Sequence, residues 1–538
     1  MTTTEIRDVD VPGTPTHREI MVVLSGLLVG MFLAALDQTV VSTAIRTIAD
    51  RLDGLTAQAW VTTAYLITST ISTPLYGKLS DQYGRKPFYV FAIAIFVVGS
   101  VLCGIATNIY ELAAYRAVQG IGAGGLLSLA FAIIGDLVPP RARGRYQGYF
   151  LAVFGISSVL GPVIGGAFAG QTTLLGIDGW RWIFFLNVPL GLLAAVVVVK
   201  RLSLPRKRSS APIDFLGAGL LTTTVVPGLL LAEKGRDWGW GSPLALSMMA
   251  LSVLSLIAFV AVERRMGENA ILPPRIFQSS VFNLTSVTAL LIGVGMFGGL
   301  VVLPLYLQIV RGGSPTEAGL QLTPLMLGIF VTSSVSGIFM KRTGRYKPLP
   351  IAGTALMFLA LVLMSTLGVD TPLWQAMTYM VLMGMGLGLS MQTLVIAVQN
   401  ALPPADMGVA TSSVTFFRSL GGTLGAAVSL AILFGSLAGN IQDRARAAGL
   451  PQAVVDRFSS ASSLNDSSVI ATLPDAVRQV VLEGFADSMQ TVFAVVAALL
   501  VPAFVLSLLT KEIPLRAYGG MQAAAADSAA ARAESAVL

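Results

Sequence analysis

Along this chain the apolar positions neither alternate with polar ones nor recur once per helical turn; they come in blocks of about 20 residues bounded by charge, Pro or Gly. A block of that length matches an α-helix crossing the hydrocarbon of a bilayer. Fourteen blocks fit this description, at 20–45, 58–77, 88–106, 110–135, 147–168, 182–199, 213–233, 243–262, 281–310, 319–340, 350–367, 373–397, 408–437 and 490–510. The pattern predicts an all-α polytopic membrane protein.

The blocks fall into two related sets. At an offset of 264, Gly120, Gly122 and Gly124 meet Gly384, Gly386 and Gly388, while Pro139, Pro140 and Gly144 meet Pro403, Pro404 and Gly408. At an offset of 260, the stretch from Gly77 to Lys86 meets the one from Gly337 to Tyr346. Two six-helix bundles are expected, at 20–199 and 263–510, with two inserted helices in a linker at 200–262 and polar tails at 1–19 and 511–538. Parallel repeats of this kind suit a transporter whose halves rock about a site near the bilayer midplane. The polar stretch 438–487 reads as a loop, with short amphipathic helices at 442–458 and 474–487.

Charge then orients the chain. If the N-terminus is cytoplasmic, five cytoplasmic loops hold 18 Lys and Arg residues, including Lys78, Arg85, Lys86, Arg143, Arg275 and Lys341, against six in the short opposite loops. By the positive-inside rule both termini lie in the cytoplasm, and 438–487 lies outside, open to an extracytoplasmic partner. The first nineteen residues lack the pattern of a cleaved signal, so the first helix is expected to be retained.

Composition sharpens this picture at three points. Charged residues make up 12% of the chain and the mean hydropathy is +0.76, which excludes a soluble globular domain. The net charge of +7 is accounted for by loop topology, and no basic tract interleaved with aromatics suggests nucleic acid. The lone Cys103 lies in an apolar run, and the lone His17 lies in the polar tail, so no disulfide, histidine proton relay or histidine metal site is expected within the membrane.

Against this background the carboxylate of Asp37, inside the first block, stands out. A charge there costs about 2.5–3.5 kcal/mol, and desolvation lets such a carboxylate take and release protons. Arg116, in the fourth block, needs an acidic or carbonyl partner, for which Asp37 and Gln119 are candidates. A permanent structural pair between Asp37 and a buried arginine is the competing reading. Glu233, next to Lys234, reads as interfacial. Arg418 either reaches toward the cytoplasm or attracts an anionic substrate group. The glycines 120, 122 and 125 follow no strand, so they are read as helix contacts rather than a nucleotide loop.

The most specific motif is Gly77 Lys78 Leu79 Ser80 Asp81 Gln82 Tyr83 Gly84 Arg85 Lys86. Gly77 permits close packing and Gly84 a tight turn. Asp81 can accept from a helix N-terminus or an arginine, with Arg85 and Lys86 in the headgroup layer. Here the chain resembles the major facilitator superfamily, and the resemblance spans nearly its whole length. It implies that Asp81 and Arg85 belong to a conformational latch, incomplete in the second half where Lys341 replaces the aspartate. Leu112 to Gly124 resembles the superfamily's fourth-helix motif, which links Arg116 to proton transfer. Gly155, Gly161, Pro162, Gly165 and Gly166 resemble its antiporter signature, with Gly161 and Pro162 bending the fifth helix where the bundles meet. Leu36 to Ala44, fourteen helices, and Trp180 to Pro189 resemble the fourteen-span drug:proton antiporters, in which the aspartate matching Asp37 is the suspected coupling site.

The resemblance further implies a cavity lined by the first, fourth, ninth and twelfth helices, offering Gln38, Gln119, Phe297, Tyr306, Gln308, Met383, Gln392 and Arg418. The expected protein is a monomer in a bacterial cytoplasmic membrane that exports small amphipathic compounds against protons and needs no cofactor or metal. A dedicated exporter of an endogenous metabolite, siderophore or lipid is the alternative. No nucleophile triad, metal cluster or nucleotide loop supports a membrane enzyme.

Overall fold

The computed structural model describes residues 17–52, 58–138, 140–202, 214–313, 315–403, 406–450 and 473–515. In chain order the elements are α1 (His17–Arg51), α2 (Gln58–Tyr83), α3 (Arg85–Ile105), α4 (Ile109–Leu137), α5 (Pro140–Ala169), a two-stranded antiparallel hairpin of β1 (Thr173–Leu174) and β2 (Ile177–Asp178), α6 (Arg181–Phe185) and α7 (Asn187–Arg201). Then follow α8 (Phe215–Trp238), α9 (Pro243–Met266), α10 (Ser280–Leu305), α11 (Pro315–Gln321), α12 (Thr323–Thr343), α13 (Pro348–Met364), α14 (Leu373–Ala401), α15 (Met407–Ala447) and α16 (Asp475–Leu509). Among the described residues twelve helical stretches are long and apolar enough to cross a membrane. Apolar α13 falls short in length, and α2 is not among the twelve. Both pack inside the helical assembly, α2 on α4 and α13 on α14.

The repeat seen in the glycines is a repeat of helix contacts. A Cβ on Gly120 or Gly124 would strike the backbone of α2, and one on Gly122 the backbone of α3. In the second half Gly384 and Gly388 abut α12 the same way, and Gly386 abuts α13. Small residues let helices approach where no hydrophobic gradient drives them together, so matched glycines place matched helices. The halves meet along α2 with α15 and α5 with α12. The inserted hairpin α8–α9 leans on α2 and α15 through α8.

Three expectations change. The stretch from Gly77 to Lys86 is not a loop: α2 runs to Tyr83 and α3 begins at Arg85, with the turn made by Gly84 alone at φ 100°. Arg85 is buried rather than in the headgroup layer. The amphipathic stretches at 442–458 and 474–487 are not separate helices where described; α15 continues to Ala447 and α16 starts at Asp475. Leu433, Leu437, Ile441 and Ala445 recur every fourth residue as one buried stripe, with Ile441 against Gly484, and Arg444 joins Asp487 at 2.7 Å. Nothing in that stretch breaks the helix, so the stripe and the ion pair carry it on. The middle of the segment, 451–472, lies outside the described residues.

Candidate functional site

Asp37 is 1% exposed, and its two oxygens receive three donors from two other helices, α4 and α7. Arg116 Nη1 on α4 meets Oδ2 at 2.5 Å, while Gln119 Nε2 and Asn187 Nδ2 meet Oδ1 at 2.8 and 2.7 Å. Arg116 Nη1 also donates to Gln119 Oε1 at 2.6 Å and its Nε to the Val61 carbonyl at 3.4 Å. Its guanidinium lies 4.0 Å from the Tyr65 ring centroid. On α3, Ser100 Oγ accepts from Gln119 at 2.7 Å and Asn187 at 3.2 Å and donates to the Phe96 carbonyl.

Local sequence builds this cluster. Arg116 and Gln119 stand one helical turn apart, so both project toward α1. Gly99 lets α3 press on α4, since a Cβ there would come within 2.6 Å of Gln119 Cα. Asn187 opens α7, with Pro189 in the first turn where its missing N–H costs little. Arg116 is seven residues from the start of α4, about 10 Å at helical rise, and that start is the end opposite Gly84. The cluster therefore lies in the half of the molecule away from the basic end, the end carrying Lys78, Arg85 and Arg143.

Chemically, every neighbour hydrogen-bonded to Asp37 is a donor, the arrangement of an ionised carboxylate. Oδ2 holds only the Arg116 bond, so a proton added there weakens the tie to Arg116 most directly. Displacing Arg116 leaves that side chain held by Gln119, the Val61 carbonyl and the Tyr65 face, so the ion pair can open without stranding the guanidinium.

At the basic end a second charged cluster joins the halves. Asp81 Oδ1 accepts from Gly408 N at 3.0 Å and Oδ2 from Val409 N at 2.8 Å, in the first turn of α15, where free N–H groups and the helix dipole favour an anion. Asp81 also pairs with Arg85, which bonds Asp136 at 2.8 Å and Ser80 at 2.7 Å. Burial pushes the Asp81 carboxyl up to about 6, against the pull of Arg85 and the two backbone donors. Gly77 and Gly408 face each other across α2 and α15: a Cβ on either would strike the other's carbonyl oxygen, at 2.8 and 2.6 Å. Arg143 adds a bond across the halves to Gln399 on α14.

Other predicted positions scatter. Gly161 packs on Thr39 of α1 within its own half, while Pro162 faces the second half, 3.7 Å from where a Cβ of Gly319 would stand, and a Cβ on Gly155 would meet Met326 of α12 at 4.0 Å. Gln119 is consumed by the Asp37 cluster, Tyr306 is fully buried with its hydroxyl on the Gly368 carbonyl, and Met383 is buried against Gly299. In this structure these three are engaged in packing or in the cluster. Gln38, Phe297, Gln308 and Arg418 are half-buried, and Gln392 is 2% exposed, with both amide atoms lacking a hydrogen-bond partner among the described residues. The Glu233 side chain lies outside the described residues. Ser100, Tyr65 and Asn187 are cluster members that sequence reasoning missed; Asn187, a polar residue within the sixth block, carried the one available signal.

Comparison with known proteins places this geometry. The family model of the Major Facilitator Superfamily matches residues 27–426. The multidrug transporter protein MdtP of Bacillus subtilis is 35% identical over 479 residues, covering 87% of this chain and 86% of MdtP. Multidrug resistance protein 3 of the same organism is 33% identical over 487 residues, covering 88% and 91%. Among solved structures, the proton:xylose symporter XylE aligns with a TM-score of 0.57 at 16% identity, covering 92% of this chain and 96% of XylE, a likeness of fold.

Proposed function

The chain belongs to the major facilitator superfamily and is a multi-pass membrane transporter, not an enzyme, and from that premise we propose that it is a proton-coupled antiporter exporting amphipathic drugs or similar lipophilic compounds. The observation that carries the reading is the buried Asp37–Arg116 pair, tied into a cluster drawn from α1, α2, α3, α4 and α7. In this reading all fourteen helices span, both termini are cytoplasmic, and the protein is a monomer of the fourteen-span drug:proton antiporter family in a bacterial cytoplasmic membrane. The relatives named for multidrug transport and resistance support the substrate class.

The steps follow from the geometry. With the basic end closed by Asp81, Arg85 and Arg143, Asp37 is ionised and α1 is drawn to α4. A proton arriving from the outer half neutralises Asp37, removes its attraction for Arg116 and loosens α1 from α4, which favours opening at the basic end. Substrate entering there competes with the protonated state, and loss of the proton to the cytoplasm restores the pair. Mixing an exported compound with weakly buffered purified protein releases protons on this account; no release on saturating binding would count against coupling.

A second reading is favoured by Arg418. Its position eleven residues into α15 is about 16 Å from the helix start, near mid-membrane. Among the described residues no ion-pair or hydrogen-bond partner of its side chain is found. A lone intramembrane cation is expensive, and an anionic group on the cargo would offset it. A dedicated exporter of an anionic metabolite, siderophore or lipid would use this residue; binding assays with matched anionic and cationic amphiphiles separate the two.

A further inference from the structure

The inserted hairpin α8–α9 carries a pair of buried acids that neither the latch nor the Asp37 cluster uses. Asp214 immediately precedes α8 and Glu263 lies in the last turn of α9; each is 4% exposed. One oxygen of each is engaged: Asp214 Oδ1 accepts from Gly217 N at 2.7 Å, and Glu263 Oε2 from Leu272 N at 2.8 Å. The remaining oxygens, Asp214 Oδ2 and Glu263 Oε1, are buried and have no hydrogen-bond partner among the described residues. Both point at the same small space over Gly217. A Cβ there would overlap Asp214 Oδ2 and come within 2.8 Å of Glu263 Oε1.

Two carboxylates cannot both ionise facing each other in a dry site, whereas one carboxyl donating to one carboxylate satisfies both free oxygens. We propose that Asp214 and Glu263 form a proton-binding site at the basic end of the inserted hairpin, with one proton held between Glu263 Oε1 and Asp214 Oδ2. Helix ends assign the proton. Asp214 faces the N-terminus of α8, which stabilises its anion, and Glu263 sits at the C-terminus of α9, which disfavours one. The proton therefore resides on Glu263.

The surrounding charges do not replace it. Lys78 of α2 acts on Glu263, but its ammonium is bonded to the Glu268 carbonyl at 2.5 Å and shared with Asp406, Asp81 and the Glu268 side chain. Arg275 is taken by Asp406 and Glu268, each at 2.7 Å. The site is thus tied to the latch: Leu272 and Glu268 belong to one short connection that links Glu263 to Lys78, three residues before Asp81. Loss of the proton sets two anions face to face and strains that connection.

Infrared difference spectra of the purified full chain, recorded as pH is raised, test the site directly. With Asp81→Asn as the background, which removes the other carboxyl that burial raises to about 6, the protein shows a protonated-carboxyl C=O band that disappears with rising pH; adding Glu263→Gln abolishes it, and adding Asp37→Asn keeps it. Asp214→Asn removes the neighbouring anion and lowers proton affinity at Glu263 at least tenfold, moving the loss to lower pH. Because the folded chain binds a proton that the unfolded chain lacks near neutrality, thermal stability falls as pH rises, and Glu263→Gln flattens that slope. No such band in that background, a band surviving Glu263→Gln there, or unchanged proton affinity in Asp214→Asn overturns the proposal. If the band holds while Asp37→Asn leaves transport intact, the coupling reading fails and this site stands.

Discussion

At Asp37 the governing quantity is the cost of a lone charge. Truncating one partner of a buried ion pair costs about 3–5 kcal/mol, because the other is left uncompensated, whereas neutralising both costs much less. Arg116→Leu is therefore expected to lower the melting temperature of purified protein sharply, and the double variant Arg116→Leu with Asp37→Asn to recover much of that loss while remaining inactive in transport. Additive melting effects would mean the two side chains are not coupled. The pairing of Asp37 with Arg116 and Gln119 was legible because a charge and an amide have few places to go within a membrane. Ser100, Tyr65 and Asn187 were not, since nothing along the chain says which of five helices a hydroxyl or amide will face. That Tyr306 and Met383 are packed away in this structure was not legible either: in a bilayer both the lipid face and the packed face of a helix are apolar, so hydrophobicity alone does not tell which face looks inward.

Among elements, the contact of α2 with the start of α15 makes the most exposed predictions. Closing it places Asp81 where burial holds its carboxyl at about 6, above its ordinary 3.8. The closed state thus binds a proton more readily than an open state in which Asp81 is wet. The closed fraction is expected to be highest below about pH 4 and to fall as pH rises through about 6. Fluorescence energy transfer between labels at the ends of α2 and α15 reads this fraction, and Asp81→Asn removes the pH dependence; a closed fraction that grows over that range contradicts the assignment. Sterics act at the same place. Gly408→Val puts a branched side chain against Arg85, the Gly77 carbonyl and Asp81, and is expected to cost about 1–3 kcal/mol of closed-state stability, raising the energy-transfer distance even at low pH. Gly84 and Gly77 were readable as a turn and a close approach. That the motif is helix up to Tyr83 was not, because its polar residues look like a loop until Asp81 is seen to be answered by the N-terminus of α15.

Over the whole molecule, two halves with matched glycine contacts are closed by unmatched chemistry. Asp81 holds α15 at the basic end, while its counterpart Lys341 is exposed and carries no such contact among the described residues. Likewise Arg116 is tied to Asp37, while its counterpart in the second half is the buried Met380. Offsets in the sequence exposed the repeat because helix contacts demand small residues at fixed spacing. The long extensions of α15 and α16 escaped notice because their stripe is set in polar surroundings. On the proposed reading, the proton-sensitive element lies in the half that faces away from the basic end, and it is Asp37. The most direct measurement is efflux of a lipophilic dye from proteoliposomes under an imposed pH gradient, comparing the wild type with Asp37→Asn. The account predicts gradient-driven export by the wild type and its loss in the variant, with dye binding retained. Export by Asp37→Asn at the wild-type rate would contradict it.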